Sequence, residues 1–235
     1  EAILSVPFPK TMRWSDMNIA FARPIQSVLA LLGKSVLAFT LGGRIKSGRM
    51  TWGHMFMHHK RIKIEAADEY LERMRQAQVI VDIETRKQMV REEIAAAADQ
   101  LGGKILPDEA LLDTVTNLVE IPIASGGRFS EAFLELPREI LITSMREHQR
   151  YFSLVDEDGR LLPNFITVNN TLADDPAVVT RGNERVLRAR LSDARFFFEE
   201  DKKVSLEGRV EDLKGVVYQA KLGTSFEKVE RFTSL

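Results

Sequence analysis

The apolar residues of this chain change their period near residue 68, and that change limits the fold more than any other feature of the sequence. Before it, short β-rich runs at 19–21, 36–41 and 61–64 alternate with glycines at Gly33, Gly42, Gly43, Gly48 and Gly53, the pattern of short strands and turns. One helix is expected to interrupt them near 24–32. After it the spacing is helical. Asp68 is placed to cap a helix over 68–78, and Asp82 another over 82–101, stopped by Gly102-Gly103. In the second, Ile83, Val90, Ile94, Ala97 and Leu101 share one face, so it is expected to pack on a core.

A third helix is predicted over 108–120, ending before Pro122, after which SGGRF reads as a break. Pro137 suits the first position of a further helix, PREILITSMREH. RYFSLV and LLPNFITV flank Asp156-Glu157-Asp158-Gly159 and predict a β-hairpin. Beyond Asp175-Pro176 the chain reads as helical to its end. The expected class is therefore α+β: a mixed body over 1–170 and the start of a helical region over 171–235.

The 235 residues, 44% hydrophobic, suffice for a packed core. Thirty-three Lys and Arg nearly cancel 34 Asp and Glu, so no global field draws the surface onto a polyanion, and any nucleic-acid site has to be a local patch. The absence of cysteine excludes disulfides, thiolate metal sites and cysteine nucleophiles, and fits a reducing, cytoplasmic setting. No secretory leader is evident and no apolar run approaches membrane-spanning length, so no membrane partner is expected. The opening without Met and the helical final residues read as those of an excised piece.

The chemistry-bearing stretch is GNERVLRARLSDARFFF at 182–198. On a helical wheel Leu187, Leu191, Ala194 and Phe198 fall within about 60°, while Arg181, Arg185, Arg188 and Arg195 gather roughly 100° away. A planar guanidinium pairs two phosphate oxygens at once, so such a face can follow a nucleic-acid backbone. The competing reading is a solvated face with pairs such as Glu184 to Arg188. Phe196, Phe197 and Phe198 point three ways, which predicts a helix enclosed on more than one side. Around the hairpin, His148, Gln149, Arg150, Tyr151, Asn169 and Asn170 offer polar groups to bases and ribose hydroxyls. In HMFMHH, His54 and His58 have i,i+4 metal spacing but no third ligand, and a surface turn is the favoured account. Gly33-Lys34-Ser35 is not a phosphate loop, because Val28 stands where that motif needs glycine.

Seven stretches in order carry a resemblance: MRW (12–14), ARPIQSVLALLG (22–33), SGRMTWGH (47–54), LPREILITSMREHQRYF (136–152), FITVNN (165–170), GNERVLRARLSDARFFFEED (182–201) and LKGVVYQAKLG (213–223). Together they closely resemble the bacterial glycyl-tRNA synthetase beta subunit. The resemblance implies an α2β2 ligase that joins glycine to its tRNA, with ATP and Mg²⁺ at the alpha-subunit active site and no cofactor or catalytic residue in this portion. Its partners would be the alpha subunit and glycine tRNA, and the beta subunit would continue into regions that include an anticodon-binding domain. It further implies a body similar to the editing-type domain of the phenylalanyl-tRNA synthetase beta subunit, used for tRNA binding or assembly and not for hydrolysis. The alternative function is a purely architectural module that contacts the alpha subunit without touching RNA. The chain departs from the family pattern at Gln26-Ser27, where His-Trp often follows Arg-Pro, and at Met55, where Arg often follows Gly-His. The residues carried over for RNA contact or packing are Arg23, His54, Arg138, His148, Gln149, Tyr151, Asn169, Asn183, Glu184, Arg185, Arg188 and Arg190. Arg190, off the main cationic face, is read as a packing residue.

Overall fold

A computed structural model describes residues 2–235. At its centre four antiparallel strands form one sheet in the order β10 (Lys104–Ile105), β12 (Phe152–Val155), β13 (Leu161–Asn169), β11 (Ile123–Arg128). The predicted hairpin is β12–β13, and its turn closes as the sequence implied. Gly159 takes φ 77° and the Asp156 carboxylate accepts from the Arg160 amide at 2.8 Å.

Successive residues of a strand face opposite sides of a sheet. Here both sides are covered, so Phe165, Ile166 and Thr167 are all buried. On one side Phe152, Leu154 and Ile166 meet Val90, Ile94 and Ala98 of α2 (Ile83–Gln100) and Leu111, Leu112 and Val115 of α3 (Glu109–Thr116). On the other, Tyr151 and Phe165 meet Leu141 of α4 (Arg138–Thr143), Met145, and Leu187 and Leu191 of α5 (Pro176–Lys202). The architecture is mixed α+β, a sheet between two helical layers.

The caps of α2 and α3 form as read: Asp82 accepts from the Thr85 amide at 2.7 Å and Asp108 from the Leu111 amide at 2.8 Å. On α2, however, Ile83 is exposed and Ala98 takes its place in the core. The SGGRF break is instead β11, paired with β13 from Ile123↔Asn169 to Arg128↔Asn164. Its glycines are needed for packing, since a Cβ on Gly127 would lie 2.4 Å from Phe165 Cζ and one on Gly126 would lie 2.6 Å from Leu101 Cδ1. As an edge strand, β11 turns the amides of Ala124 and Arg128 away from β13. Glu93 of α2 accepts the first at 3.3 Å and Glu184 of α5 the second at 2.9 Å.

Residues 12–64 form small paired strands: β1 (Met12–Arg13) with β2 (Ala20–Phe21), β3 (Val28–Leu29) with β7 (Ile45–Gly48), β4 (Leu31–Leu32) with β5 (Ser35–Val36), β6 (Thr40–Leu41) with β7, and β8 (Met50–Trp52) with β9 (Arg61–Lys63). The helix expected over 24–32 is replaced by β3 and β4. A short apolar run fits either period, and the two-residue turn Gly33-Lys34, with Gly33 at φ 55°, selects the hairpin. The helix expected over 68–78 starts as a 3₁₀ turn (Ala67–Glu69) before α1 (Tyr70–Gln76), and Asp68 does not cap it; Glu69 reaches back to the amides of Glu65 and Ala66.

The C-terminal stretch is not continuously helical. After α5 come α6 (Leu206–Val210), a 3₁₀ turn (Glu211–Gly215), a hairpin of β14 (Val217–Gln219) with β15 (Gly223–Thr224), and α7 (Ser225–Thr233). Val216, Val217 and Tyr218 favour a strand, Gly223 at φ 81° turns it, and Thr224 and Glu227 cap α7 reciprocally at 3.2 and 2.6 Å. No helix among the described residues is long and apolar enough to cross a membrane.

Candidate nucleic-acid interface

α5 begins at Asp175, whose carboxylate accepts from the Ala177 amide at 2.9 Å, with Pro176 at its first position. Its inner face is the expected one. Leu187 and Leu191 are fully buried, and Phe198 packs beside them. Polar residues near its start also hold it to the sheet. Asn183 Oδ1 accepts from the Tyr151 hydroxyl at 3.0 Å, and the Tyr151 ring stacks on Phe165 at 4.6 Å. Burial pushes the Tyr151 hydroxyl up to about 12.

The arginines of α5 divide into two sets. Arg181 lies 3.8 Å from Asp175, and the Arg195 guanidinium sits 5.0 Å from the centre of the Phe133 ring, so both have partners. Arg185, Arg188 and Arg190 are exposed and have no ion pair or side-chain hydrogen bond among the described residues. The Glu184 to Arg188 pair does not form, because Glu184 is engaged with the Arg128 amide. Arg190, read as a packing residue, instead borders an open strip with Gly182, Arg185, Val186, Ala189 and Asp193. Three guanidinium groups with no ion pair among the described residues thus project from a helix whose opposite face is fixed in the core.

The other residues singled out from sequence separate into internal ties and open groups. Asn169 Nδ2 donates to Ile123 O at 3.1 Å and Ser125 Oγ at 2.9 Å, and Arg138 donates to Gly159 O at 3.0 Å. His148 is exposed and Gln149 half-buried, in a π-helical turn (Ser144–Gln149) that packs against α5 and ends at Arg150 with φ 59°. That turn is anchored by Arg146, whose Nε donates to Asp108 at 2.5 Å. Burial works to raise the Asp108 carboxyl, but the Arg146 hydrogen bond, the Leu111 and Ala110 amides and the Arg146 charge together hold it below its ordinary value. Arg23 is exposed and donates only to Ala22 O, far along the chain from this cluster.

His54 departs from the surface-turn expectation. It is fully buried, with Nδ1 accepting from the amides of Phe56 and Met57 at 3.2 Å each, and Nε2 3.8 Å from Glu120 Oε2 without a hydrogen-bond partner. Among the described residues no three His, Asp or Glu side chains gather as a metal site. The Phe triplet also differs from expectation: Phe196 and Phe197 are 60% and 63% exposed, and only Phe198 is covered. An exposed stack of Trp52, His59 and Arg61 was missed by motif reading, and its signal lay in the distribution of charge along the chain.

The chain is a layered α+β body with a core-anchored helix that exposes Arg185, Arg188 and Arg190. The family model described as Glycyl-tRNA synthetase beta subunit matches residues 1–235, and the chain belongs to that family. It is 57% identical over 233 residues to the "Glycine--tRNA ligase beta subunit" of Geotalea uraniireducens (strain Rf4), covering 99% of this chain and 34% of that relative. It is 58% identical over 231 residues to that of Citrifermentans bemidjiense, covering 98% and 34%, and 54% identical over 233 residues to that of Syntrophus aciditrophicus (strain SB), covering 99% and 34%. The chain therefore spans about a third of the length of these relatives.

Proposed function

We propose that the chain serves ATP-dependent attachment of glycine to its tRNA as part of a beta subunit, by binding tRNA through α5. In this reading the partners are the alpha subunit and glycine tRNA in an α2β2 assembly, and ATP and Mg²⁺ act at the alpha-subunit site. Gly33-Lys34 is the turn of the β4–β5 hairpin, not a strand-to-helix phosphate loop. The observation that carries the reading is the set of Arg185, Arg188 and Arg190, exposed and without an ion pair among the described residues, on a helix held by Leu187 and Leu191. Phosphate binding releases counterions, so log affinity for tRNA should fall linearly with log salt, and each lost contact should lower that slope by about 1. Filter binding of glycine tRNA with Arg185→Ala and Arg188→Ala tests this. An unchanged affinity and slope in the double variant would refute the helix-face contact.

The body is, in our reading, related to the editing-type domain of the phenylalanyl-tRNA synthetase beta subunit but without hydrolysis, and mischarged tRNA should be deacylated no faster than background. A second, architectural role is favoured by the exposed Phe196 and Phe197, whose rings meet edge to face at 5.5 Å beyond the core. Retention of the alpha subunit by this chain without tRNA, lost in Phe196→Ser/Phe197→Ser, is the expected result.

A further inference from the structure

Residues 17–64 contain eight Lys and Arg and no Asp or Glu, within a chain whose charges otherwise nearly cancel. The carboxylates that flank this stretch are already engaged. Asp16 pairs with Arg44 at 2.6 Å, and Glu65 with Arg49 at 3.0 Å and Lys63 at 2.7 Å. Arg23, Lys34, Lys46, Lys60 and Arg61 form no ion pair among the described residues. The local patch that the balanced composition demands of any polyanion site is here, apart from α5.

The β8–β9 hairpin gives this patch a shape. Trp52 lies opposite Arg61 and Thr51 opposite Ile62, so the pleat sends Ile62 into the core and presents Trp52 and Arg61 together on the outer side. The Arg61 guanidinium lies 5.8 Å from the centre of the Trp52 ring and the His59 ring 5.6 Å from it, yet Trp52 is still 48% exposed. The connecting turn carries Phe56, 75% exposed, and Lys60. This turn is held from beneath. His54 Nδ1 accepts from the Phe56 and Met57 amides, and Gly53 admits no side chain, because a Cβ there would lie 2.6 Å from His58 Cδ2 and 2.9 Å from His58 O.

Exposed aromatic rings interleaved with cations that have no ion pair among the described residues, in a stretch without Asp or Glu, match the chemistry of unpaired nucleotides: rings accept base faces and cations accept the backbone. We propose that the outer face of β8–β9 and its turn is a second RNA surface, on which single-stranded bases stack against Trp52 and Phe56 while Lys60 and Arg61 hold phosphates. It stands on observations separate from those at α5, and a duplex offers it base faces only at its two ends.

The chain has two tryptophans, so Trp14→Phe leaves Trp52 as the sole indole reporter. Titration of that variant with an eight-nucleotide oligoadenylate should quench Trp52 emission saturably, and a blunt RNA duplex of equal length should quench far less. Against labelled oligoadenylate, Trp52→Ala/Phe56→Ala should bind about tenfold or more weakly, as expected for losing one or two base stacks. Phe56 is largely exposed and Trp52 half exposed, so the variant should keep the parent's melting temperature, and Lys60→Ala/Arg61→Ala supplies a second test by lowering the salt slope by about 1.4, two single-strand phosphate contacts' worth. Arg185→Ala/Arg188→Ala should leave the oligoadenylate titration unchanged, which separates this surface from the α5 reading. No quenching by the single strand, equal quenching by the duplex, or unaltered affinity in both double variants would overturn the proposal.

Discussion

At the scale of single residues, Tyr151 and Gly127 matter more to the fold than any charged group near them. Tyr151 couples the sheet to α5 through its stack on Phe165 and its bond to Asn183. Its hydroxyl is raised from 10.0 to about 12 in the folded state. A folded pKa above the unfolded one means that the stabilising contribution is complete below pH 10 and disappears as pH rises through 12. Urea denaturation from pH 9 to 12 should show this loss, and Tyr151→Phe should reduce it while lowering stability at pH 8 by about 1 kcal/mol. Gly127→Ala should destabilise by about 1–3 kcal/mol, since its Cβ would enter the Phe165 ring; an unaltered urea midpoint would contradict this close approach.

At the scale of elements, helix caps and amphipathic faces were legible in the sequence because they depend on neighbours along the chain. Asp82, Asp108 and the Leu187 to Leu191 face are of this kind. Gly126 and Gly127 read as a break because their reason is Phe165 and Leu101, brought from elsewhere in the chain. Position in the fold likewise decided which α5 arginines were open: Arg195 met Phe133, and Glu184 went to Arg128 in place of Arg188. For α5 the expected asymmetry is sharp. Leu191→Ala should cost about 2–5 kcal/mol by urea denaturation, whereas Arg188→Ala, at an exposed unpaired site, should stay within about 0.5 kcal/mol. The Asp108 to Arg146 bond gives a pH signature of the opposite sense to Tyr151. A depressed carboxyl stabilises above its unfolded pKa and ceases to do so as pH falls through the folded value. Asp108→Asn should therefore flatten the decline of melting temperature below about pH 4.

For the whole molecule, packing is uneven. The four-stranded sheet is buried between two helical layers, whereas the segments after Lys202 carry many exposed apolar groups, Leu206 at 88% and Phe232 at 63% among them. Hydrogen exchange should accordingly be slowest in β12 and β13 and faster by orders of magnitude in β14, β15 and α7, because protection follows buried contacts. Equal protection in the two regions would contradict this division. The sequence indicated a mixed α+β body and missed the β14–β15 hairpin after α5, and it could not show that α5 lies against the sheet, since that contact rests on Tyr151, Asn183 and Glu184 meeting across long separations.

The carboxylates of Glu93 and Glu184 also bear on how the chain behaves in company. They occupy two outward amides of β11 that would otherwise template a strand from another molecule. α5 is thus a cover for a sticky margin as well as a carrier of arginines. Concentrated preparations with Glu184→Ala would then be prone to self-association through that margin.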